Sequence, residues 1–273
     1  MRDTHTPVIT VIQTRRGSSR LPGKVLMPLA GRPLFVRQAE RVKASKLCGT
    51  VVIATTTDAQ DDIIEQICNE NKLECFRGDT FDLLDRHYKA ALKYNASVAV
   101  KIPSDCPLID SSIIDKVIGY FIDNKDEFDY VSNLHPATYP DGNDVEVMHI
   151  DALQNAWVNA SRPFEREHTT PYIWEHPQEF NIGNVTMGND EDLSMTHRFT
   201  IDYKEDYEFI NEVYNELYPQ NPLFTMEDIL QLLDRKKNIF SINSALAGIN
   251  WYRNHLNELT TIDHSQTKIV EQA

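Results

Sequence analysis

The run VITVIQ at residues 8–13 is followed directly by the loop TRRGSSRLPGK at residues 14–24. The first segment is a short apolar run rich in β-branched residues, which is typical of a buried parallel strand. The loop carries two glycines, two serines and four cations. Ligands of open α/β sheets bind beyond the carboxyl ends of the strands. The two segments together therefore predict the first strand of a parallel sheet and a ligand-binding loop.

The residues after this loop repeat the pattern of strand followed by helix. Further strands are predicted at 50–55 (TVVIAT), 74–76 and 97–102 (SVAVKI). Helices of about 12 residues are predicted between them, over 34–45, 59–71 and 81–95. This alternation predicts βαβ units and therefore an α/β fold with a mostly parallel central sheet.

The second half of the chain does not continue the regular alternation of strands and helices. Beyond a helix at 110–122, strands are predicted at 130–133 and 144–149, and helices at 151–160, 163–175, 204–217 and 225–234. The sequence contains no Pro-, Gly- or Ser-rich linker that would separate two domains. We therefore expect one domain over residues 1–258, with residues 133–180 as an excursion from it. Residues 259–273 are polar, and we expect a loosely ordered tail.

Composition excludes several classes of protein. The chain has 273 residues, of which 41% are hydrophobic and 25% charged, which indicates a globular protein. Its net charge of −14 argues against a nucleic-acid or anionic-membrane binder. The sequence shows neither a spanning apolar run nor a signal-peptide pattern. Four cysteines without a CxxC pair predict free thiols and a cytoplasmic location.

The charges are unevenly distributed along the chain. Residues 15–46 contain nine Lys or Arg and one acid, whereas residues 190–234 contain twelve acids and two bases. A cationic segment within an acidic protein indicates a small polyanion such as a nucleotide. The alternative is that these charges simply solvate the surface.

The chemistry of the loop at 14–24 favours phosphate binding. Glycine lets the backbone approach a phosphate closely, and N–H groups with Arg or Lys then neutralise it. The loop is not a P-loop, because five residues separate Gly17 from Gly23 and Val25 follows Lys24. A solvated basic turn is the alternative interpretation.

Two carboxylates are candidates for a metal site. Asp105 directly follows the strand at 97–102, in KIPSDCPLI, and Asp202 ends a short apolar stretch in RFTIDYKEDY. Each alone is more typical of a turn or a helix cap. Mg²⁺ commonly takes one or two carboxylates together with substrate phosphate oxygens. We therefore expect Asp105 and Asp202 to converge opposite the cationic loop and to bind Mg²⁺.

These motifs together resemble the sugar-acid cytidylyltransferases, which include the CMP-Kdo and CMP-sialic acid synthetases. The resemblance rests on RRGSSRLPGK, PSDCPLID and RFTIDYKEDYEFI, and it is strongest to the spore-coat polysaccharide F branch. Segments similar to that branch are RGD at 77–79, LDR at 84–86, PDGNDVEV at 140–147 and REHTTP at 166–171. The resemblance covers residues 8–217.

The resemblance implies a Rossmann-like, GT-A-like nucleotidyltransferase fold, an αβα sandwich that binds CTP and Mg²⁺. It implies that CMP is transferred to a sugar acid or a related sugar or polyol for surface polysaccharide or glycan biosynthesis. Lys24, Arg20 and Asp105 would be catalytic, and Asp105 and Asp202 would hold the metal. The residues implied for nucleotide binding are Arg15, Ser18, Ser19, Arg20, Lys24, Arg77, Asp79 and Arg86.

The resemblance also implies where the acceptor binds and how the chains assemble. The residues implied to face the acceptor are Asp141, Asp144, Glu146, Arg166, Glu167 and His168. In the related synthetases the excursion at 133–180 contributes to a dimer interface, so we expect a homodimer with no nucleic-acid or membrane partner.

The sequence departs from the sugar-acid enzymes in two motifs. Cys106 stands where they have a second acid, and Tyr203 and Lys204 stand where they have Thr and Pro in the motif that begins at Asp202. The number of metal ions and the acceptor therefore stay open. Alternative functions are a nucleotide-sugar-dependent glycosyltransferase of GT-A type, although Ser104-Asp105-Cys106 lacks its Asp-x-Asp pair, and a catalytically silent nucleotide-binding protein. Cys106, flanked by prolines, is not expected to be a nucleophile.

Overall fold

The computed structural model describes residues 7–188 and 190–269. The strands are β1 Val8–Gln13, β2 Pro28–Leu29, β3 Arg32–Pro33, β4 Thr50–Thr56, β5 Glu74–Gly78, β6 Val98–Pro103, β7 Tyr130–Ser132, β8 Glu146–His149 and β9 Ile182–Asn184. The helices are α1 Leu34–Lys43, α2 Asp62–Glu70, α3 Leu83–Lys93, α4 Ser111–Asp123, α5 Ile150–Asn159, α6 Pro163–His168, α7 Pro171–Trp174, α8 Lys204–Leu217, α9 Met226–Arg235 and α10 Lys237–Phe240.

A seven-stranded sheet in the order β5-β4-β1-β6-β8-β7-β9 forms the centre of the molecule. β1 pairs in parallel with β4 and β6, and β4 pairs in parallel with β5. β8 is antiparallel to both β6 and β7, and β9 is parallel to β7. The predicted α/β fold with a mostly parallel sheet is therefore confirmed.

The central strands are buried on both faces, as their continuous apolar runs predict. One face is covered by α1, α2 and α4, whose buried residues include Phe35, Ile64 and Phe121. The opposite face is covered by α3 and the excursion helices, with Leu84 and Leu153 in the core. This arrangement is the three-layer αβα sandwich that the resemblance implied.

A third apolar cluster attaches α8 and α9 to the N-terminal half. Phe199 and Phe209 pack there with Leu29 and Leu108. The buried Arg41 guanidinium donates hydrogen bonds to the carbonyls of Leu108, Ile109 and Phe224, at 2.7–3.2 Å. The acidic segment is thereby fixed next to the end of β6.

The structure differs from the sequence prediction in the second half. The single helix predicted at 163–175 is two helices, because Thr169 has a φ of +74° and Pro171 starts the next helix. Strand β9 was not predicted. The expected loose tail at 259–273 is wrong for the described residues 259–269, in which Leu259 and Ile262 are buried. Residues 270–273 lie outside the described residues.

Two further sequence predictions concern cysteines and membranes. All four cysteines are free thiols, as expected. Within residues 7–188 and 190–269, none of the helices has the length and apolar character needed to span a bilayer.

Gly142 allows close contact between two backbone segments that line the candidate site. Its φ is +107°, and a Cβ there would lie 2.5 Å from the carbonyl carbon of Phe199. On either side of this contact, Asp141 N donates to the His197 carbonyl at 3.2 Å and Phe199 N donates to the Asp141 carbonyl at 2.6 Å. The two backbones meet closely because residue 142 lacks a side chain.

We therefore expect Gly142→Ala to lower the free energy of unfolding by about 3 kcal/mol, from backbone strain and the forced separation of the two segments. Gly31→Ala is the matched control, because Gly31 also has a positive φ, of +77°, but no atom lies within 4 Å of its added Cβ. Gly31→Ala should lower the free energy of unfolding by only about 1 kcal/mol. Urea unfolding of both variants measures the difference, and equal losses would contradict this account.

Candidate active site

A cavity of about 910 Å³ lies beyond the carboxyl ends of β1 and β6. We call its two sets of lining residues the loop group and the far group, according to where they come from in the chain. The loop group comprises Gln13, Arg15, Gly17, Ser18, Ser19, Arg20, Lys24, Leu83, Arg86, Pro103, Ser104 and Asp105. The far group comprises Lys101 and the lining residues within 133–174 and 192–266. This position matches the expectation for a ligand site in an open sheet.

Lys24, Asp105 and Asp202 meet in this cavity. Lys24 Nζ lies 3.0 Å from Asp202 Oδ1 and 3.5 Å from Asp105 Oδ2, and it donates to the Ile201 carbonyl at 2.6 Å. Burial alone would lower the pKa of Lys24, but the two carboxylates outweigh this effect and raise it. The structure thus brings together the three side chains for which the sequence predicted a common location.

Arginines hold Asp202 from two further sides. Arg20 Nη2 lies 2.7 Å from Asp202 Oδ1, and Arg198 Nη2 lies 3.2 Å from Asp202 Oδ2. Burial would raise the pKa of Asp202, but Lys24 and the arginines lower it to about 2. Asp202 is therefore ionised at neutral pH. It does not cap α8, since Asp206 accepts hydrogen bonds from the backbone N–H groups of Asp202 and Tyr203.

Arg198 is the fully buried centre of this network. Its side chain is 0% exposed and contacts Asp141 at 3.0 Å and Asp206 at 2.9 Å in addition to Asp202. It also donates to the Ile249 carbonyl at 2.7 Å. Burial opposes its charge, but the three carboxylates raise the pKa of Arg198. The sequence motif contained Arg198, but no role was predicted for it.

The cationic loop is folded onto itself by backbone contacts. Gly23 N donates to the Arg16 carbonyl at 3.0 Å, and Arg16 N donates to Asp61 Oδ1 at 2.9 Å. Arg15, Ser18 and Ser19 all line the cavity. The loop is therefore a fixed part of the cavity wall.

Arg86 lies at the same wall and is 1% exposed. Its Nη1 donates to the Asp79 carbonyl at 2.9 Å, but its Nε has no hydrogen-bond partner among the described residues. Burial and the charge of Arg15 lower the pKa of Arg86 to about 10. An anion in the cavity would offset this incompletely compensated charge.

Three predicted site residues do not line the cavity. Arg77 pairs with Asp62 at 2.7 Å and Glu65 at 3.0 Å, and the Asp79 carboxylate accepts backbone hydrogen bonds at the start of α3. Arg166 pairs with Asp82 at 2.5 Å. The structure thus pairs these three side chains with neighbouring groups and does not place them on the cavity wall, and their assignment to nucleotide and acceptor contacts stays a prediction.

The other predicted acceptor residues do line it. Asp141, Asp144 and Glu146 form an acidic wall, and Glu167 and His168 follow on α6. Burial and the charge of Asp105 raise the pKa of Asp144 to about 7. Glu146 is ionised, since an ion pair with Lys101 outweighs the effect of burial and lowers its pKa.

Sequence reasoning missed the aromatic part of the far group. The ring of His168 stacks on Trp251 with centroids 3.8 Å apart, and His135, Trp174 and Tyr252 line the cavity beside them. Ser265 and Gln266, from the segment that was expected to be loose, line it as well. The signal that could have indicated this wall is the cluster WYRNH at 251–255, which fits no amphipathic helix.

A three-layer sandwich with a cationic loop and carboxylates beyond its strand ends is the arrangement of a nucleotidyltransferase. Residues 9–246 match the family described as cytidylyltransferase. The chain belongs to this family of enzymes, which transfer a cytidylyl group from CTP. Because the chain belongs to this enzyme family, we set aside the two alternative functions, a glycosyltransferase and a catalytically silent nucleotide-binding protein.

Relatives and solved structures agree with this assignment. The chain is 37% identical over 240 residues to an uncharacterised protein of Methanocaldococcus jannaschii, covering 87% of this chain and 94% of that one. It is 31% identical to the spore coat polysaccharide biosynthesis protein SpsF of Bacillus subtilis, covering 84% and 94%. A cytidylyltransferase structure from Leptospira borgpetersenii superposes with a TM-score of 0.81 at 33% identity, covering 86% and 97%.

The opposite pKa shifts of Asp144 and Asp202 predict opposite effects on stability. The pKa of Asp144 is raised from 3.8 to about 7, so wild-type stability falls as pH rises through that interval. Asp144→Asn should therefore be more stable than wild type at pH 8, by roughly 3 kcal/mol, and the gap should close at pH 4.

Asp202→Asn is the control, for which we expect the opposite change in stability. The pKa of Asp202 is lowered from 3.8 to about 2, so its stabilisation is present above pH 4 and is lost as pH falls through 2. This variant should be less stable than wild type by about 2 kcal/mol at pH 8. Urea unfolding at pH 4 and pH 8 measures both, and a destabilised Asp144→Asn at pH 8 would contradict the acidic-wall interpretation.

Proposed function

We propose that this enzyme transfers CMP from CTP to a hydroxyl of a sugar acid or a related sugar or polyol, with Mg²⁺ as cofactor and pyrophosphate as the second product. The observation that carries the proposal is the meeting of Lys24, Asp105 and Asp202 in a cavity lined by the cationic loop. A role in polysaccharide biosynthesis is supported by the name of the Bacillus subtilis relative. A stretch of 117 residues, 43% of this chain, is also 32% identical to a 3-deoxy-manno-octulosonate cytidylyltransferase of Trichlorobacter lovleyi, of which it covers 46%.

The loop group supplies what a triphosphate requires. Arg15, Arg20, Lys24 and Arg86 line the cavity there, and Ser18 and Ser19 add hydroxyl donors. Charge-assisted hydrogen bonds from Arg and Lys to phosphate oxygens are the strong contacts of such sites. In this proposal the negative charge of the nucleotide offsets the buried Arg86 guanidinium, whose Nε has no hydrogen-bond partner among the described residues.

The carboxylates suit a single Mg²⁺ ion. Oxygens of Asp105 and Asp202 both lie within 3.5 Å of one cation, the Lys24 ammonium, so they are placed to share a charge. Within the described residues no set of three or more His, Cys, Asp or Glu forms a metal site. Two carboxylates are enough for Mg²⁺, which takes its other ligands from phosphates and water. The bound ion would supply neutralisation of the triphosphate charge.

The reaction is a displacement at the α-phosphorus. The acceptor oxygen forms a bond to this phosphorus, the bond to the bridging oxygen of the β-phosphate breaks, and pyrophosphate leaves while the acceptor proton passes to solvent. Lys24 and Arg20 hold the phosphates in line and stabilise the charge that develops on the leaving oxygens. Cys106 takes no part as a nucleophile, because it is fully buried and burial raises the pKa of its thiol.

Lys24→Ala should lower kcat/KM for CTP about 100-fold or more, since a buried cation is lost from the triphosphate site. Asp105→Asn should lower kcat by a similar factor at every Mg²⁺ concentration. Both are measured by pyrophosphate release from each of the four NTPs with a panel of sugar acids, sugars and polyols.

Lys46→Ala is the control for charge alone, because Lys46 is exposed and outside the cavity, and its activity should stay at the wild-type value. Wild-type kcat in Asp105→Asn across the Mg²⁺ titration would refute the metal assignment. Release from another NTP in preference to CTP would refute the nucleotide assignment.

We also propose that the enzyme is a cytoplasmic homodimer. The four free thiols support a reducing compartment. Within the excursion at 133–180, α5 presents Val158 with 63% of its surface exposed. We place this side chain in the contact between copies, because the family resemblance assigns the dimer interface to this excursion.

Sedimentation at micromolar concentration should therefore give twice the chain mass of 31.4 kDa. Val158→Glu should shift the protein toward the monomer, because the added charge would be buried in the interface. Leu223→Glu is the control, since Leu223 is 48% exposed outside the excursion and should leave the mass unchanged. A wild-type species of 31.4 kDa would refute the dimer.

A further inference from the structure

The segment at 247–268 forms one wall of the cavity, and we call it the C-terminal wall. Its lining residues are Gly248, Ile249, Asn250, Trp251, Tyr252, Asn254, His255, Ser265 and Gln266. The family match ends at residue 246, before this wall begins. Lys24, Asp105 and Asp202 all precede that end, so the part of the chain that matches the family already contains the proposed site for CTP and Mg²⁺.

From this division we propose, on the basis of the proposed function, that the C-terminal wall selects the acceptor and that Trp251 is its positioning residue, which holds the ring of His168 at the cavity. Loops carried on a rigid scaffold often determine what a site binds. A wall outside the family match can differ between related enzymes without a change at the CTP site.

The C-terminal wall is fastened to the excursion by Glu175. This carboxylate accepts four hydrogen bonds, from the backbone N–H and the hydroxyl of both Thr260 and Thr261, at 2.5–2.9 Å. Leu259 and Ile262 are buried beside them in the apolar cluster of α3 and the excursion helices. The hydrogen bonds and the apolar contacts come from the same short stretch, so the wall has a defined position at the cavity.

Arg198 fixes the same wall relative to Asp202. Its Nη1 donates to the Ile249 carbonyl at 2.7 Å, and its Nη2 lies 3.2 Å from Asp202 Oδ2. Asn250 Nδ2 donates to the Gln266 carbonyl at 2.9 Å and joins the two ends of the wall. A ligand held by the wall is therefore oriented relative to Asp202, and a displacement at phosphorus depends on such orientation.

Trp251 is the residue of this wall that contacts a predicted acceptor side chain. Its ring stacks on that of His168 with centroids 3.8 Å apart and an interplanar angle of 12°. The rings of Tyr252 and Phe164 lie next to it, with centroids at 4.7 and 6.5 Å. A near-parallel stack at this distance restricts rotation of the imidazole, so His168 keeps one orientation at the cavity.

The imidazole of His168 lines the cavity and is left free to bind a ligand. None of the described residues forms a hydrogen bond with its ring nitrogens. Burial, aided by Lys101 and His255 and opposed by Glu146, lowers the pKa of His168 to about 3, so the ring is neutral at pH 7. A neutral imidazole offers one donor and one acceptor, which suits a hydroxyl, and sugar acids, sugars and polyols all carry hydroxyls.

The first test separates acceptor binding from CTP binding. Trp251→Ala should raise KM for the acceptor at least about 10-fold, which corresponds to about 1.4 kcal/mol, and leave KM for CTP within about twofold of wild type. It should also narrow the difference in kcat/KM between that acceptor and the next best. Trp251→Phe keeps a ring against His168 and should recover most of the loss. Pyrophosphate release by the full-length enzyme with CTP and Mg²⁺ measures both variants, with whichever sugar acid, sugar or polyol the wild type uses best.

Phe240→Ala is the matched control, because the Phe240 ring also packs on a histidine, His197, with centroids 5.1 Å apart, but outside the cavity. This variant should leave both KM values unchanged. An acceptor KM that is unchanged in Trp251→Ala, or a rise of both KM values by the same factor, would overturn the inference.

Glu175→Gln tests the wall from outside the cavity, because Glu175 is not a lining residue. An amide has one accepting oxygen and cannot replace all the hydrogen bonds from Thr260 and Thr261. We expect KM for the acceptor to rise by less than in Trp251→Ala, and KM for CTP to stay at the wild-type value. A change in KM for CTP alone would contradict the role of the wall.

The second test needs no acceptor. The His168 ring is followed by NMR in full-length protein labelled at histidine, with His168→Gln used to assign its signals. In the wild type the ring should stay neutral down to pH 5, whereas in Trp251→Ala it should titrate above pH 5, since water then reaches the imidazole. Trp251→Phe should behave as the wild type. The same titration in Trp251→Ala as in the wild type would overturn the positioning role of Trp251.

Calorimetry with CTP and Mg²⁺ distinguishes failure of this inference from failure of the proposed function. Absence of CTP binding to the wild type would refute the proposed function. CTP binding and turnover by the wild type, together with an unchanged acceptor KM in Trp251→Ala, would retain that function and refute the acceptor role of the C-terminal wall.

Discussion

The site depends on one buried charge, the guanidinium of Arg198. It is 0% exposed and lies between Asp141, Asp202 and Asp206. Removing such a group from water is expensive unless every donor is matched, and here carboxylates and the Ile249 carbonyl accept its hydrogen bonds. Because its partners come from separate segments, the same contacts that satisfy the charge also fix the relative positions of the cavity walls.

This network explains how an acidic protein can hold both a cationic loop and a crowded set of carboxylates in one cavity. Asp202 is shared by Arg198, Arg20 and Lys24, so it stays ionised. Asp144, with no cation paired to it within the described residues, has its pKa raised to about 7. Two aspartates in one cavity thus have different protonation equilibria because their neighbours differ, which is a pattern typical of functional sites.

The sequence predicted the parts of the structure that local pattern controls. β1, β4 and β6 were recognisable because strands buried on both faces need continuous apolar runs, and Asp105 was placed by its position after such a strand. The convergence of Asp202 with Asp105 opposite the cationic loop was expected from the ligands that Mg²⁺ takes. β9 has three residues, held by pairing with β7, and no periodicity reveals it. Arg77 and Arg166 had suitable chemistry, but Asp62 and Asp82 neutralise them through contacts that sequence spacing does not encode.

The separation between Arg20 and Asp202 has a consequence for synthesis of the chain. Arg20 leaves the ribosome long before Asp202, its ion-pair partner across the cavity. Until then the first strands can pair and collapse, but the loop lacks the carboxylate that orders this arginine. Closing so long a loop is entropically unfavourable until non-local contacts compensate for it. The wall that contains Arg20 and Asp202 is therefore completed late in the synthesis of the chain.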